Sequence, residues 1–293
     1  SLSRNLTELH HSLGPGRLKL LFADMISDAE TLLSEKLTKV PDGEWSHRIY
    51  LEFEGDVYTL MVRLEKTGGR FALDFTGSSH QAPATINMTL PAVRAWLLGD
   101  ICETLCWDMP WVIAGIERVY DIVAPEGTLV HPTYPAGVSK STTSIGLLLS
   151  NAVRTCLYRM LYTCEAYREK AMAGWPGSKA QEELHGTSQY GGPFGADILD
   201  GMAGGGGART FADGLDTGGL AAAPKIAVAN VEHYEIAYPI LYLWRRQLSD
   251  SGGAGRYRGG NGVDRAYLVH NAASIPDMVL HSIGVEVPVT SGL

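Results

Sequence analysis

The sequence lacks any uninterrupted apolar run approaching the roughly 20 residues a helix needs to cross a hydrocarbon core. Nor does it contain the charged start, apolar centre and small-residue end of a secretory leader. No cluster of Lys and Arg is present; 24 basic against 32 acidic residues give a formal charge of −8. General nucleic-acid binding depends on clustered cations that neutralise phosphates, so that class is excluded, as is a membrane partner. The four cysteines, Cys102, Cys106, Cys156 and Cys164, include no Cys-x-x-Cys pair. They are expected to be small core residues in a reducing cytoplasm. A Gly-x-x-x-x-Gly-Lys-Ser/Thr phosphate loop is also missing.

Disorder is excluded by the remaining composition, 45% hydrophobic against only 19% charged. The 293 residues can bury a substantial core, in one large or two ordinary domains. Ser1 and the terminal segment Pro288 to Leu293 read as cut ends of a longer polypeptide.

Glycine is abundant. In Asp250-Ser251-Gly252-Gly253-Ala254-Gly255-Arg256-Tyr257-Arg258-Gly259-Gly260-Asn261-Gly262, six glycines surround one acid and two arginines. Each glycine costs about 0.5–1 kcal/mol against Ala inside a regular element, so this stretch is expected to be a turn or a close-packed joint. Asp250, Arg256 and Arg258 are its chemistry-bearing side chains, either fixing neighbouring backbone or facing a substrate cavity. A phosphate-gripping loop is the weaker reading, because no helix-opening lysine accompanies the glycines.

Periodicity predicts a helix over 15–39, from Leu18, Leu21, Phe22, Met25, Ile26, Ala29, Leu32, Leu33 and Leu37. Period-2 patterns then predict an antiparallel meander: a strand from Trp45, a second over Val57 to Glu65 and a third over Arg70 to Phe75. Helices are predicted over 91–107 and 143–173, with a short strand from Ile116 to Val123 between them. The prolines of 130–137 require an extended path there, holding His131 on a stiff segment. His131 is either a hydrogen-bonded structural residue or a cavity-lining base. Asp74, Thr76 and Asn87 belong to a polar loop that either satisfies itself or contacts substrate. Cys102 and Cys106 lie one helical turn apart, without the second pair a metal site would require.

Between Gly186 and Gly219 there are twelve glycines, yet Tyr190, Phe194 and Phe211 persist, which a flexible linker would not carry. Extended, polyproline-II-like segments packed side by side are expected there. Asp197, Asp200, Asp213 and Asp216 read as turn-capping carboxylates rather than a calcium loop. Glu232 and Glu235 are either an acid/base pair or partners of Arg245, Arg256 or Arg258. Pro239 to Arg246 is expected to be a buried element leading into the Asp250 motif. The fold class expected is therefore α+β and β-rich, with a mixed helix and antiparallel-sheet region over 1–175 and a glycine-rich extended region over 176–293.

Read in order, Asp74-Phe75-Thr76-Gly77-Ser78-Ser79-x-Gln81, Asn87, Pro125-x-Gly127, Glu232-x-x-Glu235 with Pro239, and the Asp250 to Gly262 motif resemble the hydantoinase B family. That family includes the B-type subunits or regions of N-methylhydantoinases, 5-oxoprolinase, caprolactamase and the acetone and acetophenone carboxylases. The resemblance spans most of the chain, and its last motif is the most specific. It implies sheets in a barrel-like arrangement running into a bundle of polyproline-II-like segments. It also implies a hydantoinase A-type partner that binds ATP and Mg, and a small-molecule substrate phosphorylated on a lactam, amide or ketone oxygen. Hydrolysis of cyclic amides is the first expectation, ketone carboxylation the alternative, and a purely structural assembly module the alternative of another class. The family's His- and Asp-containing metal site has no counterpart here. A divalent metal of the Zn, Mn or Fe type is accordingly expected on a part of the polypeptide outside this sequence, and no metal ligand is assigned to this chain. His131, His185 and His233 are left as candidates for lining a shared cavity.

Overall fold

In the computed structural model, residues 1–174, 181–200, 203–220, 223–224 and 228–281 are described. The chain begins with α1 (Leu2–Leu13) and α2 (Arg17–Thr38), where one helix over 15–39 was expected. Gly14 and Gly16, both at positive φ around Pro15, separate them. The apolar stripe of α2 is only half used: Ala29, Leu33 and Leu37 are buried, whereas Leu21, Phe22, Met25 and Leu32 are exposed.

The meander follows as read. β1 (Gly43–Phe53) pairs antiparallel with β2 (Asp56–Thr67), and β2 with β3 (Arg70–Asp74). The first turn places Glu54 and Gly55 at positive φ, matching the twist of a tight hairpin. Strand alternation buries Leu60, Val62 and Leu64, and carries Lys66 onto the same face. Its ammonium is accommodated because Nζ donates to the Val40 carbonyl (2.5 Å) and to Asp42 Oδ1 (2.7 Å).

Next come α3 (Leu90–Leu105), with Pro91 in its first turn, and the single turn α4 (Ile113–Ile116). The strand expected from Ile116 is shorter: α4 and a 3-10 turn over 117–119 precede β4 (Tyr120–Val123), which adds parallel to β3. The four-stranded sheet thus has the order β1-β2-β3-β4. Helix α5 (Ile145–Tyr162) packs on β1 and β2 on one side and α3 on the other, and 15 of its 18 residues are buried. It is buried on nearly every face, polar Ser150, Asn151, Arg154 and Thr155 included, and so lies inside the core. It ends at Tyr162 rather than at 173.

The four cysteines are free and buried, as expected. Burial pushes the Cys156 thiol up to about 12. Cys106 is raised further by its hydrogen bond with Cys102 and by burial. We expect a thiol-exchange reagent to find no fast-reacting group in the native protein and four after denaturation. One rapidly labelled cysteine without denaturant would contradict this burial.

A second, smaller core gathers Leu184, Ala196, Ile198, Tyr234 and Ile240. Around it, β5 (Gln181–Ser188) and β6 (Pro193–Ile198) form a hairpin, and β11 (Ala272–His281) lies on the other side of β5. The short pair β7 (Gly219–Leu220) and β8 (Ala223–Pro224), helix α6 (Val231–Ala237), and the ribbon of β9 (Ile240–Gln247) with β10 (Val263–Val269) complete the described α-helices and strands. The fold is mixed α+β and sheet-rich, and none of its sheets closes into a barrel among the described residues. Part of the stretch expected to be polyproline-II-like is the β5–β6 hairpin. Pro239 to Arg246 is also less buried than expected. In a two-stranded ribbon only one face meets a core, so Tyr242 turns inward while Leu241 and Leu243 stay exposed.

Candidate functional site

Glycine-dense backbone from 203–219 and from 251–262 meets beyond the end of α5. Gly206 N donates to the Leu215 carbonyl (2.8 Å), Gly260 N to Gly206 (2.8 Å), Gly214 N to Arg258 (2.8 Å) and Thr217 N to Asn261 (2.7 Å). Ala173 N donates to Ala208 (2.7 Å), tying the joint to the segment that leaves α5. The segments therefore form a directly hydrogen-bonded joint, and glycine allows it. A Cβ at Gly260 would overlap the Leu215 carbonyl, and one at Gly205 the Gly260 carbonyl.

Carboxylates fasten the joint. Arg258 Nη1 donates to Asp216 Oδ1 (2.9 Å) and Nη2 to Asp216 Oδ2 (3.2 Å), while Asp213 Oδ1 accepts from Arg258 N (2.9 Å). Asp216 Oδ1 also accepts from Asn261 N (2.8 Å). Asp213 and Asp216 thus bind a motif 42 to 45 residues away, where capping of their own glycine turns was expected. The hydrogen bond from Arg258, followed by that from Asn261, holds the Asp216 carboxyl far below its ordinary value of 3.8. A lowered folded-state value makes this stabilisation present above 3.8 and lost as pH falls through the folded value. Between about pH 5 and about pH 3, native protein should lose more thermal stability than Asp216→Asn. Equal losses would disconnect the joint from this carboxylate.

The joint walls a cavity of about 600 Å³. Arg256, from the Asp250 motif, lines it, together with Arg209, Thr210, Tyr162 and Tyr257. The Arg256 guanidinium lies over the Tyr257 ring (5.6 Å to the centroid) and that of Arg209 over Phe211 (5.2 Å). Sequence reasoning missed Arg209 and Thr210; their position one residue beyond the glycine run Gly204 to Gly207, after Ala208, was the available signal. Asp250 sits at positive φ in the same motif, beside the cavity-lining Ser251.

The other candidates lie elsewhere. Glu235 Oε1 accepts from Tyr242 N (2.7 Å), and Glu232 is exposed on α6. Neither forms an ion pair with Arg245, Arg256 or Arg258 among the described residues, which corrects that expected pairing. The partner of Arg245 is instead the buried Asp200 (2.8 Å), whose other oxygen accepts from the Tyr242 hydroxyl (2.5 Å).

Asp74, Thr76, Asn87 and His131 do not line this cavity. Asp74 Oδ1 accepts from Thr76 N (2.8 Å). Ser79 and Ser78 continue the loop as a substitute strand, their Oγ atoms accepting from Thr59 N (2.8 Å) and Met61 N (3.1 Å) beyond the end of β3. Asn87 is fully buried: its oxygen accepts from Ala82 N (2.7 Å), and its amide lies within 3.0 Å of the carbonyls of Ala82, Ala84 and Gly137. His131 Nδ1 donates to the Ala124 carbonyl (2.8 Å). No group of three or more His, Cys, Asp and Glu among the described residues is placed to hold a metal ion.

The fold and site define a glycine-jointed α+β protein with an arginine-bearing cavity. The chain belongs to the hydantoinase B/oxoprolinase family, whose model matches residues 2–286. It is 26% identical over 285 residues to the acetophenone carboxylase delta subunit of Aromatoleum aromaticum, across 95% of this chain and 40% of that protein. It is likewise 26% identical over 267 residues to the caprolactamase subunit beta of Pseudomonas jessenii, across 89% of this chain and 44% of that protein. The nucleotide-free structure of acetone carboxylase superposes with a TM-score of 0.79 at 21% identity, over 89% of this chain and 36% of that one. The chain thus spans about two fifths of the length of these two curated relatives.

Proposed function

We propose that this chain is a B-type portion of an ATP-dependent amidohydrolase acting on cyclic amides of the hydantoin, 5-oxoproline or lactam type. The observation carrying this reading is the family match across residues 2–286, alongside relatives named as caprolactamase and carboxylase subunits. ATP and Mg belong to a hydantoinase A-type partner, and a divalent metal to a part of the polypeptide outside this sequence. The chain contributes substrate cavity and assembly surface. The lactam oxygen attacks the γ-phosphorus and ADP leaves. Water then adds to the activated carbon, the C–N bond opens to leave an acyl phosphate and a free amine, and a second water releases phosphate, so that one ATP and two waters are consumed per ring. A closed site protects the activated species from premature hydrolysis.

Ketone carboxylation is the second reading, favoured by the likeness to the acetophenone carboxylase subunit and to the acetone carboxylase fold. ADP release by the full-length protein with its A-type partner distinguishes the two. Release driven by hydantoin, 5-oxoproline or caprolactam supports hydrolysis; release driven by acetone or acetophenone, with uptake of labelled bicarbonate, supports carboxylation. Substrate-dependent ATP hydrolysis by this chain alone would overturn the division of labour. If Arg256→Ala dissociates the complex on gel filtration, a structural module is supported instead.

A further inference from the structure

We infer that the glycine-walled cavity is a binding site for a small oxyanion, a carboxylate or phosphate group carried by a low-molecular-weight ligand. The inference rests on the cavity itself and does not depend on which reaction the complex performs. A volume of about 600 Å³ suits a small molecule. Its electrostatics set it apart from the rest of the chain. In a protein of net charge −8, no Asp or Glu lines this cavity among the described residues, whereas Arg209 and Arg256 do.

Neither guanidinium has a carboxylate partner among the described residues. Arg258, two positions from Arg256, shows the contrast, because Asp216 accepts from both of its terminal nitrogens. Among the described residues, the Arg209 guanidinium donates to the Asp213 carbonyl, a neutral acceptor, from Nε (3.3 Å) and Nη2 (3.1 Å). Stacking on Phe211 and Tyr257 restricts the two planar groups without neutralising them.

Further donors surround them. The backbone N–H groups of Ala254, Gly255 and Arg256, all on cavity-lining residues, have no acceptor among the described residues. Thr210, also lining the cavity, has a buried Oγ1 without a hydrogen-bond partner. A buried hydroxyl left unpaired is unfavourable, so a ligand oxygen that accepts from it is favoured. Two forked cations, free N–H groups and a hydroxyl donor, with no wall carboxylate, match the geometry of a planar or tetrahedral oxyanion.

The test is isothermal titration of the full-length protein, in low-chloride buffer, with inorganic phosphate, with acetate and with neutral acetamide. Phosphate or acetate is expected to bind and acetamide not to bind. Binding of phosphate alone marks a phosphoryl site and binding of acetate alone a carboxylate site; each supports the inference. Arg256→Gln and Arg209→Gln should each weaken binding about 10-fold or more, because charge-assisted bonds of this kind are lost. Arg256→Lys, which retains charge but loses the fork, should fall between, and Arg4→Gln, on exposed α1, should bind as the native protein does. Unchanged melting temperatures would confirm that the variants are folded. Overturning results are no binding of either anion, or equal affinity in native protein and the folded Arg209→Gln/Arg256→Gln double variant.

Discussion

Gly260→Ala is expected to destabilise the protein by about 3 kcal/mol or more, a loss at the upper end for a single methyl group. The reason is local. Gly260 is buried where two main chains cross, and a Cβ there overlaps the Leu215 carbonyl and reaches within 2.9 Å of Gly206 N. The hydrogen bond Gly206 N to Leu215 (2.8 Å) and that from Gly260 N to Gly206 (2.8 Å) must lengthen together. Flexible side chains can move aside, but backbone carbonyls fixed in a hydrogen-bonded joint cannot. Gly253→Ala is the matched control, since a Cβ there meets nothing within 4 Å and its φ is not in the left-handed region. It should lie within about 0.5 kcal/mol of the native protein. Urea denaturation of the two variants decides the matter; similar midpoints would mean that the crossing does not constrain the fold.

A comparable loss, about 3–5 kcal/mol, is expected for Arg154→Met. Arg154 lies in buried α5 and donates from Nε to Asp100 Oδ1 (2.6 Å) on α3, with Glu103 accepting from Nη2. Ser150 Oγ donates to the same Asp100 oxygen (2.6 Å), and Asp100 is only 2% exposed. Removing the cation leaves a carboxylate inside the core with a single neutral donor. Burial already pushes the Asp100 carboxyl up, against the opposing pull of Arg154. In the variant the charged form is disfavoured still further, so the deficit should shrink as pH falls and Asp100 takes up a proton. Asp100→Asn/Arg154→Met should recover part of the loss, because the charge that needed a partner is gone. If the double variant is as unstable as the sum of the singles, the two residues are not coupled as the geometry requires.

The parts legible in the sequence were those set by local periodicity. The β1–β2 hairpin followed from alternation about a turn expected at Gly55-Asp56, one residue beyond the observed Glu54-Gly55, and α3 from its opening Pro91 with Trp96, Leu97, Ile101 and Leu105, of which Trp96 is only partly buried. The Asp250 motif was readable as a joint because glycine density has few other uses. Features depending on distant partners were hidden. Nothing in the sequence near Lys66 reveals that Val40 and Asp42 receive its ammonium. The pairing of β11 with β5 joins residues from opposite ends of the second region, and no short pattern encodes it. Similarly, Arg256 was legible as a candidate from its own motif, but Arg209 was not. A cavity wall built from two separate segments becomes visible only once they are brought together.

Because the cavity wall is mostly main chain, most of its contour is indifferent to which side chains the gene encodes. Main-chain atoms leave no room for a Cβ at Gly205 and Gly260, and admit one at Gly206 or Gly259 only if the neighbouring backbone gives by a few tenths of an ångström. Diversity in what such a cavity admits must therefore concentrate at a few positions that carry larger side chains. With the arginines reserved for charge, these are Tyr162, Thr210, Leu248 and Tyr257. A combinatorial library over those four sites would explore shape and polarity while leaving the scaffold untouched. For engineering purposes this chain is a rigid frame with a small, separable palette.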